Sequence, residues 1–360
     1  MNIMDHQQES LWDLETTISH IDKKIEDLLE ELVSQTPERL KPLVAQFSKF
    51  TLRPGKRIRP LLLILTYTGY SSKDRFVTEK ESVFTFASIL EIMHAFLLVH
   101  DDVIDESLLR RGEPTLHKVY EQFYKSEKMG RDLAIIIGDI VSFYFFGKLS
   151  YLNIDNENLK RIIKLFSDCY VKTGYGQLLD ILYTGNISKD AIFENVPRQI
   201  SLLKTSYYTF VYPMLFGYYL SGMRDDEEVE KLKLLGEKIG IAFQYRDDIL
   251  GTFGGESKSV NDILEGKCTI LIKKTYDALC ESEGERFLEF LGKKDVEKVR
   301  KYILESGAFK STTLEIANLV NESLKILKEL KMSEEYKEEI EKIIVKVGII
   351  PEIWDGGMNG

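Results

Sequence analysis

The chain has 360 residues, 44% of them hydrophobic, which is enough to bury a large core, and its formal net charge at pH 7 is −10. So acidic a chain is a poor binder of nucleic acid, which proteins recognise through clustered basic residues. The three cysteines, Cys169, Cys268 and Cys280, are too few and too scattered for a disulfide framework or a zinc site, so they indicate the reducing cytoplasm.

The N-terminal segment, MNIMDHQQESLWDLE, lacks both the basic stretch and the apolar core of a signal peptide. Between Leu11 and Leu32 apolar residues then recur at steps of three and four, which predicts an amphipathic helix and a candidate subunit contact. Pro37 ends this helix. A short helix and a loop are predicted before the apolar run at 61–70.

The rest of the chain reads as a series of helices, since strand-like alternation between turns is nearly absent. Before the last third, the predicted helices cover residues 76–105, 115–124, 132–151, 157–182, 198–220 and 227–250. The two most apolar runs contain Asp139 and Pro213, so they indicate buried helices and no transmembrane segment. The last third is more charged, which is typical of outer, solvated helices. We predict an all-α, single-domain helical bundle over residues 1–350 and a C-terminal tail at 351–360.

Three aspartates stand at the end of the apolar helix predicted at 76–105: Asp101, Asp102 and Asp105. Carboxylates this close raise one another's pKa unless cations bridge them, and their oxygens suit Mg²⁺, which shares its coordination with substrate phosphates. The adjacent Arg110 and Arg111 follow, and guanidinium groups match phosphate oxygens. A solvated helix end is the weaker interpretation, because the helix dipole disfavours acidic residues at a C-terminus. The pattern predicts a diphosphate site.

A second acidic pair, Asp247 and Asp248 in FQYRDDILG, also ends an apolar helical run. Two such helices facing one another would place carboxylates on both sides of one cavity mouth. A protein that merely binds polyphosphate would not explain why long apolar helices end at both sets of acids. The two motifs together therefore favour an enzyme.

The motifs and their order resemble those of the trans-isoprenyl diphosphate synthases, a family whose members join isopentenyl diphosphate to an allylic diphosphate. The matching stretches are GKRIRP at 55–60, HAFLLVHDDVID at 94–105, RRGEPTLH at 110–117, Gly138-Asp139, Gly176-Gln177 with Asp180, Lys204-Thr205, Gln244 with Asp247-Asp248, and NDILEGK at 261–267. The resemblance implies an isoprenoid synthase bundle around a central cavity, a cytoplasmic homodimer, and head-to-tail condensation after the allylic diphosphate ionises.

The resemblance also implies roles for individual residues. Mg²⁺, three ions with diphosphate bound, would be held by Asp101, Asp105 and Asp247, with Asp102 and Asp248 as outer or alternate ligands. The cations implied for the allylic diphosphate are Arg110, Lys204, Lys258 and Lys267. Those implied for isopentenyl diphosphate are Lys56, Arg59 and Arg111, with His94 as a further donor. Thr205 and Gln244 would stabilise the carbocation through their oxygens.

Two positions depart from the fuller family pattern. Gly251 stands where many relatives carry a third aspartate, and archaeal-type members resemble this DDILG form. The loop lysine usually found in a Gly-Lys pair occurs here in Ser257-Lys258, so its register relative to Asp262 is shifted.

Product length in this family depends on bulky side chains that form the floor of a tunnel. Phe96 is the fifth residue before the first aspartate and Met93 the eighth. The resemblance therefore implies a C20 product, geranylgeranyl diphosphate, with the C15 farnesyl or a longer polyprenyl diphosphate as alternatives.

Two other functions remain open at this point. A class I terpene cyclase shares the fold and an aspartate motif, but it has no need for Lys56, Arg59 and Arg111 together. A non-catalytic partner subunit of a heteromeric synthase typically loses one aspartate motif, whereas this chain has both acidic pairs.

Overall fold

The structure, a computed structural model, describes residues 13–185, 187, 192, 194–254 and 261–350. The chain divides into two compact units, one formed by Met1–Leu61 with Glu79–Asn153 and the other by Leu62–Thr78 with Ile154–Gly360. The structure is 83% helical, so the prediction of an all-α fold is confirmed.

The first unit is built on amphipathic helices around an apolar core. Its helical elements are Leu14–Gln35, Glu38–Leu40 (3₁₀), Lys41–Thr51, the start of Ile58–Tyr70, most of Lys73–Ile104, Leu116–Tyr124, Glu127–Lys148 and Leu149–Tyr151 (3₁₀). The Asp13 carboxylate caps the first helix by accepting a hydrogen bond from the Thr16 backbone N–H at 2.8 Å. Ile21 and Ile25, one turn apart on this helix, are fully buried, as the three-and-four periodicity predicts.

A small β-hairpin follows the first aspartates, and the sequence pattern did not predict it. Leu109–Arg110 pairs antiparallel with Glu113–Pro114. The two residues of the turn, Arg111 and Gly112, have φ angles of 55° and 79°. Positive φ at both central positions is the geometry of the tight turns that match the twist of a hairpin. This turn fixes Arg110 and Arg111 as neighbours at one end of the ribbon.

The second unit contains the rest of Ile58–Tyr70, the start of Lys73–Ile104 and the remaining helices of the described residues. These remaining helices are Asn156–Tyr183, Val196–Ile200, Ser201–Val211, Tyr212–Leu220, Asp226–Phe253, Asp262–Glu265, Ile270–Ala278, Glu281–Gly292, Val296–Glu305, Ala308–Glu329 and Glu334–Gly348. Ser201–Val211 is a π-helix, hereafter the π-helical segment, where the sequence predicted one continuous α-helix over 198–220. The π-helix is rare and occurs mostly at functional sites.

Two helices of the described chain are long and apolar enough to cross a membrane by length and composition. In Lys73–Ile104 the most apolar window is 72% buried inside the protein, as in the core helix of a bundle. In Glu127–Tyr151 the corresponding window is 33% buried. The second helix therefore leaves much of its apolar surface exposed.

Candidate active site

The first acidic motif lies at the end of Lys73–Ile104, hereafter the first aspartate helix. Asp105 continues the helical pattern, since its backbone N–H donates to the Asp101 carbonyl at 2.8 Å. Asp101 and Asp105 are half-buried, whereas Asp102 is fully buried. The two outer aspartates thus stand one turn apart with their side chains partly accessible.

Arg110 reaches back from the hairpin to these acids. Its Nε donates to Asp102 Oδ1 at 2.7 Å, and its Nη2 lies 2.6 Å from the same oxygen and 3.5 Å from Asp101 Oδ2. Burial raises the pKa of Asp102 to about 6, and the bond from Arg110 opposes that rise. Asp102 is therefore the partner of Arg110, while Asp101 and Asp105 stand toward the accessible side.

A cationic pocket lies in the same unit beside the hairpin. Its charged and polar lining consists chiefly of Arg53, Arg57, Arg110, Arg111, Glu91 and His94. Burial, reinforced by the surrounding arginines, holds the pKa of His94 well below the ordinary histidine value. His94 is therefore a neutral imidazole that can donate one N–H bond. Lys56 is exposed and Arg59 is half-buried, and Arg59 is the arginine with the largest effect on His94.

Three charged lining residues of this pocket, Arg53, Arg57 and Glu91, were missed by the sequence patterns. Arg57 lies between the predicted ligands Lys56 and Arg59, and Glu91 lies one turn before His94. Both are buried. The only sequence signal was a charged residue, Glu91, inside an otherwise apolar helical run.

The two predicted chain-length residues lie on the first aspartate helix. Met93 is buried and Phe96 is half-buried. The Phe96 ring packs edge-on against His100, with 4.8 Å between ring centroids. A Cβ atom at Gly138 would lie 2.5 Å from His100 Nε2 and 3.4 Å from Phe96 Cδ2. Phe96 and His100 therefore face helix Glu127–Lys148 at Gly138.

In the second unit, a chain of hydrogen bonds joins the predicted cation-stabilising residues to the second acidic pair. The Thr205 hydroxyl donates to Gln244 Oε1 at 2.6 Å, and Gln244 Nε2 donates to Asp248 Oδ1 at 2.8 Å. The other Asp248 oxygen accepts the Ile270 backbone N–H at 3.1 Å. Buried Asp248 therefore holds the start of helix Ile270–Ala278 against Asp226–Phe253, hereafter the second aspartate helix. Its neighbour Asp247 is half-buried.

The π-helical segment places Lys204 and Thr205 by unusually close packing. A Cβ atom at Gly176 would collide with the Lys204 backbone, and one at Gly240 would collide with Ser206. Glycine on both neighbouring helices thus allows the wider π-helix to fit between them. Lys204 Nζ forms an ion pair with Asp180 Oδ2 at 2.5 Å.

Asp262 occupies the space beside Gly251. A Cβ atom built on Gly251 would collide with the Asp262 carboxylate. Gly251 lies one helical turn after Asp247, so Asp262 brings a carboxylate to the place where a third aspartate of the motif would project. Lys267 forms an ion pair with Glu265 at 2.9 Å, and its backbone N–H donates to the Asp262 carbonyl. Lys258 lies outside the described residues.

The oxygen donors fit Mg²⁺ although they form no closed protein cage. Among the described residues, no three His, Cys, Asp or Glu side chains form a metal-binding group. Mg²⁺ does not need one, since it usually binds through one or two carboxylates and takes its other ligands from water and substrate phosphates. The partly accessible pair Asp101 and Asp105 has this character, and Asp102 Oδ2 is buried without a hydrogen bond.

Aspartates at the ends of two apolar helices, with arginines beside one set, are the groups by which a helical enzyme would act on a diphosphate. Residues 41–306 match the model of the polyprenyl synthetase family, and the chain belongs to that family. It is therefore a trans-prenyltransferase, which confirms the prediction from the sequence motifs.

Similarity to individual proteins supports the same assignment. The chain is 32% identical to a geranylgeranyl diphosphate synthase of Saccharolobus solfataricus over 293 residues, which covers 76% of this chain and 82% of that one. It is 30% identical to a short chain isoprenyl diphosphate synthase of Methanocaldococcus jannaschii over 246 residues, 67% and 68% of the two chains. The solved geranylgeranyl pyrophosphate synthase of Corynebacterium glutamicum, complexed with isoprenyl diphosphate and magnesium, superposes with a TM-score of 0.84 at 26% identity, covering 94% and 99%.

Proposed function

We propose that the enzyme condenses isopentenyl diphosphate with dimethylallyl, geranyl or farnesyl diphosphate, and that its product is geranylgeranyl diphosphate. The observation that carries this proposal is a cluster of cations beside the first aspartates, in which Arg111 and His94 line one pocket and Arg59 lies near enough to lower the pKa of His94. Chain elongation must hold two diphosphates at once, and a second one without metal needs side-chain cations. A terpene cyclase, which binds a single diphosphate, would not require this second set of cations.

In this proposal the aspartates bind metal ions, and the metal ions bind the diphosphate leaving group. Asp101, Asp105 and Asp247 would bind three Mg²⁺ ions together with the allylic diphosphate. When bound, Mg²⁺ supplies Lewis acidity that neutralises the leaving group as charge develops on it. Arg110, Lys204, Lys258 and Lys267 would add cationic contacts to the same diphosphate. We propose that residues 1–350 form one catalytic domain and that 351–360, which lie outside the described residues, are a C-terminal tail.

Thr205 and Gln244 are suited to stabilise a carbocation without reacting with it. The Thr205 hydroxyl donates its hydrogen bond to Gln244 Oε1. Its oxygen therefore presents lone pairs, and no proton, to a cation nearby. On the other substrate, Lys56, Arg59 and Arg111 would bind the diphosphate of isopentenyl diphosphate, with neutral His94 donating one further bond.

The test of the proposed function uses purified protein, Mg²⁺, labelled isopentenyl diphosphate and each allylic primer in turn. Products are dephosphorylated and sized by chromatography, and we expect mainly the C20 alcohol. A C15 or a longer product would keep the reaction and contradict the product. Failure of folded protein to incorporate label with any primer would contradict the reaction and favour a cyclase or a partner subunit.

Shortening Phe96 is expected to lengthen the product. Because this ring packs against His100 and Gly138, Phe96→Ala removes a bulky group facing helix Glu127–Lys148. We expect the main product to shift from C20 to C25 or longer while incorporation is retained. Phe84→Ala, which truncates a buried phenylalanine earlier on the same helix, serves as the control and is expected to leave product length unchanged. An unaltered product from Phe96→Ala would exclude this residue as the floor.

We propose that the enzyme works as a homodimer in the cytoplasm. Helix Glu127–Lys148 exposes Ile136, Ile140 and Phe143, of which Phe143 is 77% accessible. They recur at steps of four and three, so they share one face. Contiguous exposed apolar surface of this kind is typical of protein–protein interfaces.

A charge on this face is expected to separate the subunits. Phe143→Glu should shift the mass measured by light scattering from dimer to monomer, because an interface centre does not tolerate an unpaired carboxylate. Lys128→Glu changes charge at an exposed position of the same helix and should leave the dimer intact. Dimers of unchanged stability in both variants would place the contact elsewhere.

A further inference from the structure

Arg57 is buried although its neighbours Lys56 and Arg59 are more exposed. Its side chain is 3% exposed, whereas Lys56 is exposed and Arg59 is half-buried. Its backbone has a φ of 49°, in the left-handed region that non-glycine residues seldom adopt. This conformation turns the Arg57 side chain inward, so the guanidinium group is not available as a surface ligand for an anion.

The Arg57 guanidinium group joins three elements of the first unit. Nε donates to Asp22 on helix Leu14–Gln35 at 2.8 Å, and Nη1 donates to Glu91 on the first aspartate helix at 2.9 Å. Nη2 donates to the Arg53 carbonyl at 3.3 Å. Each side of the planar group therefore has a partner, and the turn at 53–57 is tied to two helices.

Arg111 is held on the same turn. Its Nη1 donates to the Pro54 carbonyl at 2.7 Å and to the Arg53 carbonyl at 3.3 Å. A Cβ atom at Gly55 would lie 3.0 Å from Arg111 Nη1 and 3.1 Å from Arg57 Nη1. Glycine at this position thus lets both guanidinium groups lie against one stretch of backbone. The position of a predicted isopentenyl diphosphate ligand, Arg111, depends directly on the turn that Arg57 fixes.

Glu91 is the counter-ion of this arrangement. Its side chain is 5% exposed, and its Oε2 is buried with no hydrogen bond to the described residues. It is the only carboxylate among the described residues that line the pocket. Its charge opposes the mutual repulsion of the arginines around it, including Arg111.

We propose that Arg57 and Glu91 are positioning residues for isopentenyl diphosphate. They fix the turn at 53–57 so that Lys56, Arg59 and Arg111 present their cations without reorganising when the diphosphate arrives. Binding groups held in advance lose less freedom on binding, which favours affinity. This inference rests on the proposed function, and it assigns the pair to only one of the two substrates.

The test compares the two Michaelis constants in Arg57→Met and Glu91→Gln. We expect KM for isopentenyl diphosphate to rise by about tenfold to a hundredfold. KM for the allylic diphosphate and kcat at saturating isopentenyl diphosphate should change by less than about threefold, because the aspartates keep their places. Calorimetric titration of isopentenyl diphosphate into the same proteins should show an equal loss of affinity.

Ile25→Ala is the matched control. It removes buried apolar volume from Leu14–Gln35, the helix that also carries Asp22, and it alters no charge. It should lower Tm and leave both KM values unchanged. If the single variants do not fold, the Arg57→Met, Glu91→Met double variant removes the buried pair together, and Asp22, whose side chain is 46% exposed, then faces water. It too should bind isopentenyl diphosphate weakly.

A folded single or double variant with the wild-type KM for isopentenyl diphosphate would overturn the inference. So would an equal rise in both KM values, since that is the mark of a merely structural role. Failure of the proposed function is recognised separately, because the wild-type enzyme would then incorporate no label. In that case the calorimetric titration of isopentenyl diphosphate still tests the inference. Equal affinity in the wild type and the variants would overturn it, and so would a wild type that does not bind isopentenyl diphosphate.

Discussion

Asp101→Asn is expected to lower kcat by about 10³-fold at saturating concentrations of both substrates. The substitution removes the negative charge of a proposed metal ligand from the accessible pair that Asp101 forms with Asp105. The resulting loss of charge stabilisation in the transition state is several kcal/mol. Measured kcat should fall, and the Mg²⁺ concentration for half-maximal activity should rise, because a neutral amide is a weaker ligand for a hard cation.

Asp132→Asn provides the control for this prediction. Asp132 is an exposed aspartate in the same unit whose ion pair with Lys128 is a surface pair of small energetic value. It should leave kcat and the Mg²⁺ dependence near those of the wild type. Activity of Asp101→Asn within about tenfold of wild type, with an unchanged Mg²⁺ dependence, would exclude Asp101 as a metal ligand.

Gly251→Asp is expected to lower kcat/KM for the allylic substrate by about 10²-fold, although it adds a third aspartate to the second acidic motif. The position already faces the Asp262 carboxylate, with which any Cβ atom would collide. A new side chain must displace Asp262, and a new carboxylate would also repel it. The loss should therefore exceed that of Gly251→Ala, which tests the collision without the charge. Steady-state kinetics and Tm separate the two contributions.

The control for Gly251 is Gly174→Ala, on helix Asn156–Tyr183, where a Cβ atom meets nothing within 4 Å. Alanine in place of a helical glycine in open space should raise stability slightly. If Gly251→Asp retained wild-type activity or gained any, Asp262 could not occupy the space of a third aspartate during catalysis.

The helices and the acidic motifs were predictable from local sequence. The predicted helices at 76–105 and 227–250 correspond to Lys73–Ile104 and Asp226–Phe253. Each carries its own apolar run and ends at its own acids, and neither property depends on distant contacts. The choice of Thr205 and Gln244 as site residues came from the family resemblance and not from periodicity, and their hydrogen bond was seen only in the structure.

Features that depend on residues far apart in the chain were not predictable. The π-helical segment requires glycines at 176 and 240 on two other helices, so its own sequence reads as an ordinary α-helix. The burial of Arg57 requires Asp22 and Glu91, which lie more than thirty positions away on either side. The meaning of Gly251 became clear only from the position of Asp262. In each case tertiary contacts override the local pattern.

The π-helical segment also affects how well the chain tolerates changes in length. A hydrogen bond between residues five apart takes more chain into each turn than an α-helical bond does. Deleting one residue after Thr205 can therefore be absorbed by a return to α-helical geometry, so that Tyr212–Leu220 keeps nearly the same orientation. The same deletion in the second aspartate helix would rotate every later side chain by about 100° and carry Asp247 and Asp248 away from their partners. Insertions and deletions should accordingly be better tolerated in the π-helical segment than in the helix that carries the acids.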